Sequence, residues 1–263
     1  MIPHSGSSES MPDISFVMPC YNEEAIIGYT IPRLMNAFTQ AGHTLELVAV
    51  DNGSSDRTGE KIRELQTQFP GLVLHRVEVN EGYGKGVLDG IPLCRAPWIG
   101  IIPADGQVDA EDVVRLFEAV ESTDGNVLGK VRRRFRMDPI RRKIVSVAYN
   151  MLVRALWPRL ASLDINGSPK IIPREAIRAM DLKSEDWLLD PEIMIKAHYM
   201  GMQILELNVF GRMRGNGVSH VNASAVGTFL HYVLLFKFSS SWRRQFKNAS
   251  KAQNAVNLNE NGA

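Results

Sequence analysis

The chain has 263 residues, of which 44% are hydrophobic and 22% are charged. That length and composition allow one large domain with a substantial core, and they exclude global disorder. The net charge of +1 excludes general polyanion binding by the whole molecule, and no known nucleic-acid-binding module is recognised, so nucleic acid is not an expected partner.

Strand and helix patterns alternate along the first half of the chain. Short apolar runs predict strands, and runs with one apolar face predict helices. The predicted strands are 14–18, 45–50, 72–77, 98–102 and 126–130. The predicted helices are 24–41, 56–69, 86–94 and 109–122. This alternation predicts an α/β fold, with a mainly parallel sheet and helices on both faces.

The second half is predicted to be richer in helix. Helices are expected at 141–160, 191–200 and 226–238, and a strand at 204–210. The helix at 226–238 is very apolar and is followed by Trp242, Arg243, Arg244 and Lys247. That composition suits the membrane interface, although a core helix or an oligomer interface is an equal alternative.

The two cysteines and the chain ends bear on the compartment. Cys20 and Cys94 lie in apolar segments, which is typical of buried thiols in a reducing cytoplasm. The first residues lack the features of a signal peptide, and no window offers the roughly 20 apolar residues of a membrane span. We expect a cytoplasmic protein, soluble or peripheral, with disorder in 1–12 and 248–263.

Polar loops follow the first four predicted strands, at the edge of a parallel sheet where ligands bind. The segment 51–56 reads DNGSSD, in which Gly53 permits a tight turn and Asp51 accepts hydrogen bonds from a ribose or base. The segment 80–86 reads NEGYGKG, in which glycines allow close approach of a phosphate and Lys85 adds positive charge. A capped loop without a ligand is the alternative for 51–56, and 80–86 alone does not match the spacing of a known phosphate-binding motif.

The fourth polar loop reads PADGQ over residues 103–107. A carboxylate at the end of a strand suits a divalent cation that bridges diphosphate oxygens. Oxygen ligands from Asp105 and Gln107 favour Mg²⁺ or Mn²⁺. A polar turn is the alternative.

Four segments together, 19–24, 50–58, 80–86 and 104–107, resemble the nucleotide-sugar-dependent family 2 glycosyltransferases of the GT-A fold in order and spacing. The resemblance implies a Rossmann-like α/β domain over 13–222, with a mixed, mostly parallel sheet. The residues after it predict an amphipathic helix over 223–247, at the membrane interface or in an oligomer interface. It implies that Mg²⁺ or Mn²⁺ is the cofactor. The donor-binding residues that it implies are Pro19, Tyr21, Asn22, Glu23, Asp51, Gly53, Lys85, Ala104 and Asp105.

Later segments resemble the polyprenyl-phosphate branch of that family, which includes the dolichol-phosphate mannose synthases. These segments are 142–146, 164–170, 173–176, 190–192 and 214–219. The resemblance implies a polyprenyl phosphate acceptor at the inner membrane face. The acceptor-phosphate residues that it implies are Arg132, Arg142, Ser146 and Lys170, and the catalytic residues are Asp105, Asp164 and Arg214.

A basic strip independently predicts phosphate or an anionic surface as a partner. Residues 130–143 contain eight lysines and arginines against the single acid Asp138. A solvated basic face is the alternative.

Three residues depart from the pattern of the family. Pro103 stands in place of the first metal-binding aspartate, which puts the metal in doubt. Lys170 stands where arginine is usual, and a lysine lacks the bidentate fork. Pro169 replaces an aromatic residue.

The leading hypothesis is therefore an inverting transfer from a GDP- or UDP-sugar to a polyprenyl phosphate. A family 2 enzyme with a soluble or saccharide hydroxyl acceptor is the second hypothesis, and it would need a base such as Asp164. The third is a non-catalytic nucleotide-sugar-binding protein. A homo-oligomer is compatible with all three.

Overall fold

A computed structural model describes residues 11–133, 151, 153, 155–158, 160, 162 and 164–210. The strands are β1 Ile14–Cys20, β2 Leu45–Asn52, β3 Leu72–Val77, β4 Trp98–Ile101, β5 Val127–Arg133, β6 Lys170–Pro173 and β7 Gln203–Val209. The helices are α1 Ile27–Gln40, α2 Thr58–Gln66, α3 Tyr83–Gly90, α4 Ala110–Glu121, α5 Arg174–Met180 and α6 Leu189–Tyr199. A 3-10 helix, Ile91–Leu93, follows α3.

The strands form one sheet in the order β3-β2-β1-β4-β6-β5-β7. Strands β1 to β4 pair in parallel, and β5 is parallel to β7. Strand β6 is antiparallel to both of its neighbours. The expected mixed, mostly parallel sheet is therefore confirmed.

Helices cover both faces of this sheet, because successive side chains of a strand point to opposite faces. Phe16 of β1 packs on one face with Phe38 of α1 and Phe117 of α4. Its neighbour Val17 packs on the other face with Val87 of α3. Both faces therefore carry a hydrophobic core, which leaves the strand ends as the polar edges of the molecule.

All nine elements predicted for the first half are present, with ends shifted by a few residues. The structure also confirms helix 191–200 as α6 and strand 204–210 as β7. Strand β6 and helix α5 were missed. The predicted helix 226–238 lies outside the described residues, and only parts of 141–160 lie within them. No helix among the described residues is both long and apolar enough to cross a membrane.

Strand direction determines which loops meet. Because β1 to β4, β5 and β7 point the same way, their carboxyl ends lie along one edge, here called the rim. The register pairs Cys20 with Asp51 and Asp51 with Arg76, so the ends of β1, β2 and β3 are level. The predicted polar loops consequently lie together at the rim.

Candidate functional site

The loops after β1 and β2 are joined by hydrogen bonds. Asn22 adopts a left-handed backbone conformation, with φ of 55°. Its N–H donates to Ser54 Oγ at 3.1 Å, and its Oδ1 accepts the Ser55 N–H at 2.9 Å. The Glu23 N–H donates to Thr58 Oγ1 at 2.9 Å. These bonds bring three predicted donor-binding positions, Asn22, Glu23 and the segment 51–56, into one unit.

A second set of bonds holds the start of α2 against the same unit. The Glu24 N–H donates to Asp56 Oδ2 at 3.1 Å, and the Arg57 N–H donates to Glu24 Oε2 at 2.8 Å. Burial alone would raise the pKa of Asp56, but hydrogen bonds from Thr58 and Glu24 lower it below its usual value. Asp56 therefore stays ionised as a local structural anchor.

Asp51 ends up almost fully buried at the rim, with 1% exposure. Its Oδ1 accepts the Ser54 N–H at 3.1 Å, whereas Oδ2 has no hydrogen-bond partner among the described residues. The nearest cation is Arg76, whose Nε lies 3.7 Å away. A Cβ on Gly59 would lie 2.3 Å from Oδ2, so glycine is required beside this carboxylate. A buried acceptor without a donor is costly, which marks Asp51 as a candidate ligand contact.

The glycine-rich loop lies beside this carboxylate. Asn52 Nδ2 donates to Asn80 Oδ1 at 3.2 Å and to the Gly82 carbonyl at 2.9 Å. A Cβ on Gly53 would lie 2.6 Å from the Asn80 nitrogen, so the loops after β2 and β3 are in close contact. The predicted donor residues Gly53 and Lys85 therefore lie on adjoining loops.

Lys85 lies in the first turn of α3 and is half-buried. Its ammonium contacts Asp89 Oδ1, which raises the pKa of Lys85 above its usual value. Glu81 Oε2 lies 3.9 Å from the same nitrogen. Lys85, the predicted phosphate contact, is therefore charged. In this structure its ammonium lies close to the carboxylates of Asp89 and Glu81.

The loop after β4 holds the candidate metal ligands. Asp105 Oδ1 accepts the Gln107 N–H at 3.2 Å, and Gly106 takes a positive φ of 62°. Asp105 and Gln107 are half-buried, whereas Ala104 is 3% exposed. Pro103 offers no side-chain oxygen. Segment 103–107 thus presents one carboxylate and one amide just after a parallel strand.

This donor set fits a cation that is shared with a substrate. No group of three or more His, Cys, Asp or Glu side chains suited to a metal occurs in the described part of the chain. Mg²⁺ commonly binds through one or two carboxylates together with substrate phosphates and water. Asp105 and Gln107 suit that kind of site better than a site made by protein ligands alone.

The acceptor-side predictions are only partly within the described residues. Arg132 is half-buried near the carboxyl end of β5, at the rim. Arg142, Ser146 and Arg214 lie outside the described residues, so their roles stay predictions. Pro19 is half-buried near the end of β1, and Tyr21 is 41% exposed just beyond it.

Lys170 and Lys130 are both fully buried, on neighbouring strands that pair them directly. Lys170 Nζ forms an ion pair with Asp190 Oδ1 of α6. Lys130 Nζ donates to the Asp164 carbonyl and to Glu206 Oε1, the latter at 3.2 Å. The expectation that Lys130 belongs to a surface basic strip is therefore wrong, because its ammonium is inside the protein. The role of Lys170 in binding phosphate stays a prediction.

Asp164 is held through its backbone. Its carbonyl accepts both Lys130 Nζ and the Gly167 N–H, the latter at 2.9 Å. A Cβ on Gly167 would lie 2.1 Å from the Val131 carbonyl, which explains the glycine in this turn. The side chain of Asp164 is 9% exposed. Its catalytic role stays a prediction.

Sequence reasoning gave no individual role to Trp187, Asp190 and Glu192, and it placed Lys130 in a surface strip. Glu192 is 1% exposed and bonds to the chain before α6. The sequence signal for Asp190 and Glu192 was the motif at 190–192, which places both carboxylates in the first turn of α6. Lys130 carried no distinguishing signal, because it opens a run of sequence that is rich in lysine and arginine.

Lys130 predicts a pH dependence of stability. Burial, with a smaller contribution from Lys170, lowers its pKa to about 8, while Glu206 and Asp164 oppose the shift. The unfolded chain keeps this proton up to about pH 10.4, so between those values it binds more protons than the folded protein. The free energy of unfolding contributed by this group should therefore rise from pH 8 to pH 10.

The measurement is urea unfolding at pH 7.5, 8.5 and 9.5 for the unaltered protein and for Lys130→Met. The substitution should flatten the rise, and the control Lys183→Met, whose side chain is 72% exposed, should keep it. Equal slopes for the unaltered protein and Lys130→Met would contradict the assignment.

The sequence was compared with known families and curated proteins. The profile of the family described as "Glycosyl transferase family 2" matches residues 15–179. The dolichol-phosphate mannosyltransferase of Pyrococcus furiosus is 24% identical over 94% of this chain and 70% of its own length. The undecaprenyl-phosphate 4-deoxy-4-formamido-L-arabinose transferase of Pectobacterium carotovorum is 33% identical over 56% of this chain, which is 44% of that protein.

The fold is similar to solved structures as well. Glucosyl-3-phosphoglycerate synthase of Mycobacterium tuberculosis, solved with Mn²⁺, UDP-glucose and phosphoglyceric acid, superposes with a TM-score of 0.65. That match is 19% identical and covers 86% of this chain and 79% of the other. The rim loops, the sheet topology and the family profile agree, and the chain belongs to glycosyl transferase family 2 and is a glycosyltransferase of the GT-A fold.

Proposed function

We propose that this glycosyltransferase moves a sugar from a GDP- or UDP-sugar to a polyprenyl phosphate, with inversion at the anomeric carbon, at the cytoplasmic face of the membrane. The observation that carries the proposal is the joined set of loops at the rim, next to the buried Asp51 Oδ2 that lacks a hydrogen-bond donor. A nucleoside supplies N–H or O–H donors for such an oxygen.

The leaving diphosphate needs its charge neutralised as the sugar departs. Asp105 and Gln107 would hold Mg²⁺ or Mn²⁺, which would supply that neutralisation when bound. Lys85 adds a cation on the adjoining loop, and Arg214 is proposed as a further one. Electrostatic stabilisation of this kind is usually a large part of the rate enhancement.

A phosphate acceptor fits this site because it is already an anion near neutral pH and needs no general base. It needs cations that orient it, for which we propose Arg132 and Arg142, with Ser146 as a hydrogen-bond donor. Support comes from relatives named for dolichol phosphate and undecaprenyl phosphate. The helix proposed for 223–247 would bring the enzyme to the membrane surface where such lipids lie, or serve in oligomerisation.

The test is transfer of radiolabelled sugar from a panel of GDP- and UDP-sugars to undecaprenyl phosphate in detergent, with and without Mn²⁺ or Mg²⁺. Label extracted into the organic phase is the expected result, and it would identify both donor and acceptor. Nucleotide binding without any lipid product would overturn the polyprenyl phosphate acceptor.

A soluble hydroxyl acceptor is the second candidate. It is favoured by the fold likeness to an enzyme crystallised with phosphoglyceric acid. Such an acceptor would need a base, for which Asp164 is the proposed group. The same assay with a panel of soluble phosphorylated acids would then give label that stays in the aqueous phase. Tight nucleotide binding without turnover on any acceptor would favour a non-catalytic protein.

A further inference from the structure

The segment 183–187 lies directly on the glycine-rich loop, although it is about 100 residues away in sequence. The Lys85 N–H donates to the Glu185 carbonyl at 2.8 Å. The ring of Tyr83 stacks on that of Trp187, with centroids 4.9 Å apart and planes at 4°. One hydrogen bond and one aromatic pair therefore join the segment to the start of α3.

The glycines of the loop are needed for this contact. A Cβ on Gly82 would lie 2.5 Å from the Glu185 carbonyl oxygen, and a Cβ on Gly84 would lie 2.3 Å from that of Ser184. Real Cβ atoms do not approach backbone oxygens so closely. The glycines at these two positions thus serve the seating of 183–187, in addition to any approach of a phosphate.

The segment is itself fixed from α6. Glu192 Oε1 accepts the Lys183 N–H at 3.0 Å, and Oε2 accepts the Ser184 N–H at 2.8 Å. Its charge is balanced by Lys196, one turn later, and both side chains are buried. A buried carboxylate with a cation and two N–H donors is a rigid anchor.

The glycine-rich loop is thereby held from two sides. Asn52 Nδ2 bonds to the Gly82 carbonyl from the side of β2, and the segment 183–187 covers the opposite side. The same helix α6 carries Asp190, which pairs with Lys170 of β6. A continuous set of contacts therefore runs from β6, through α6 and 183–187, to the loop that carries Lys85.

We propose that 183–187 is a clamp that positions the glycine-rich loop for the diphosphate of the donor, with Trp187 as its positioning residue. This inference rests on the proposed donor class. Trp187 is 52% exposed, so its removal leaves no large buried cavity. The aromatic pair and the loop order that it maintains should be lost while the fold remains.

The test uses the full chain with Trp187→Ala, Trp187→Phe and Gly84→Ala. Binding of UDP and GDP is measured by calorimetry, and the KM for donor and for acceptor is measured separately. Trp187→Ala should weaken nucleotide binding and raise the donor KM by about five- to tenfold, with the acceptor KM unchanged. Trp187→Phe should restore most of the affinity, because it keeps an aromatic ring over Tyr83.

Gly84→Ala tests the seating of the clamp independently, because alanine favours a helix over glycine and the added Cβ meets the backbone of 183–187. Because Gly84 also belongs to the loop that a phosphate would approach, the deciding measurement for this variant is hydrogen exchange without nucleotide. The matched control is Gly28→Ala in α1, where a Cβ meets nothing within 4 Å. Hydrogen exchange at the Lys85 amide should speed up in Trp187→Ala and Gly84→Ala alone.

Nucleotide affinity and donor KM that stay at the original level in both Trp187→Ala and Gly84→Ala would overturn the clamp and leave the proposed function intact. Failure of the unaltered protein to bind UDP or GDP would instead overturn the proposed function, and the role of the clamp with it.

Discussion

Asp105→Asn is expected to lower the kcat of sugar transfer by about 100-fold or more. Asp105 carries the one carboxylate of segment 103–107, where Pro103 stands at the position that the family resemblance assigns to a first aspartate. An amide is close in shape but has no charge to hold a cation against the diphosphate. The loss should appear in kcat and in the apparent affinity for Mn²⁺, whereas binding of the nucleotide without metal should change little.

Asp124→Asn is the matched control, since Asp124 is exposed in the turn before β5, at the edge of the sheet opposite the rim. It should keep full activity at every metal concentration. Equal activity of Asp105→Asn and the unaltered enzyme would contradict a metal or leaving-group role for Asp105.

Pro103→Asp tests the same site in the opposite direction, because it adds a carboxylate where Asp105→Asn removes one. It restores the second carboxylate, so the Mn²⁺ concentration for half-maximal activity should fall. A titration of activity with Mn²⁺ measures this. An unchanged midpoint would indicate that residue 103 does not reach the cation.

Much of the fold could be predicted from local pattern. The first four strands are short apolar runs, and each is followed by polar residues and then by a segment with helical spacing. That alternation predicts a parallel sheet. Strand β6 was missed because Lys170–Pro173 offers four residues that open with a charge and close with a proline. Only the antiparallel pairing with β4 and β5 makes this segment a strand, and such pairing is not visible in local sequence.

The grouping of the candidate donor-binding residues at the rim was predictable for the same reason. Asp51 lies at the end of β2, Asp105 lies in the connection after β4, and Lys85 lies in the first turn of α3, the helix that follows β3, so topology alone brings them to one rim. Burial was not predictable. Lys130 reads as surface charge in sequence, yet it is inside the protein because Glu206 and the Asp164 carbonyl meet it there. Those partners are 34 and 76 residues away along the chain.

The Lys170–Asp190 pair carries the second large expected effect. Both side chains are nearly inaccessible, at 0% and 11% exposure. Lys170→Met would leave the carboxylate of Asp190 buried without a cation, which should lower the free energy of unfolding by about 3–5 kcal/mol. Urea denaturation gives this value, and the double variant Lys170→Met/Asp190→Leu should recover a large part of the loss.

Lys183→Met is the control, since the side chain of Lys183 pairs with Asp181 at 72% and 55% exposure and should contribute less than about 1 kcal/mol.

The single and double variants also separate two roles for Lys170. If Lys170 binds the acceptor phosphate, the double variant Lys170→Met/Asp190→Leu should regain stability but keep a raised acceptor KM. If the ion pair with Asp190 is its main role, stability should fall first, and the double variant should regain stability with its acceptor KM unchanged. A lysine that is buried, paired and next to a second buried lysine favours the latter outcome, because a phosphate would have to displace Asp190 to reach it.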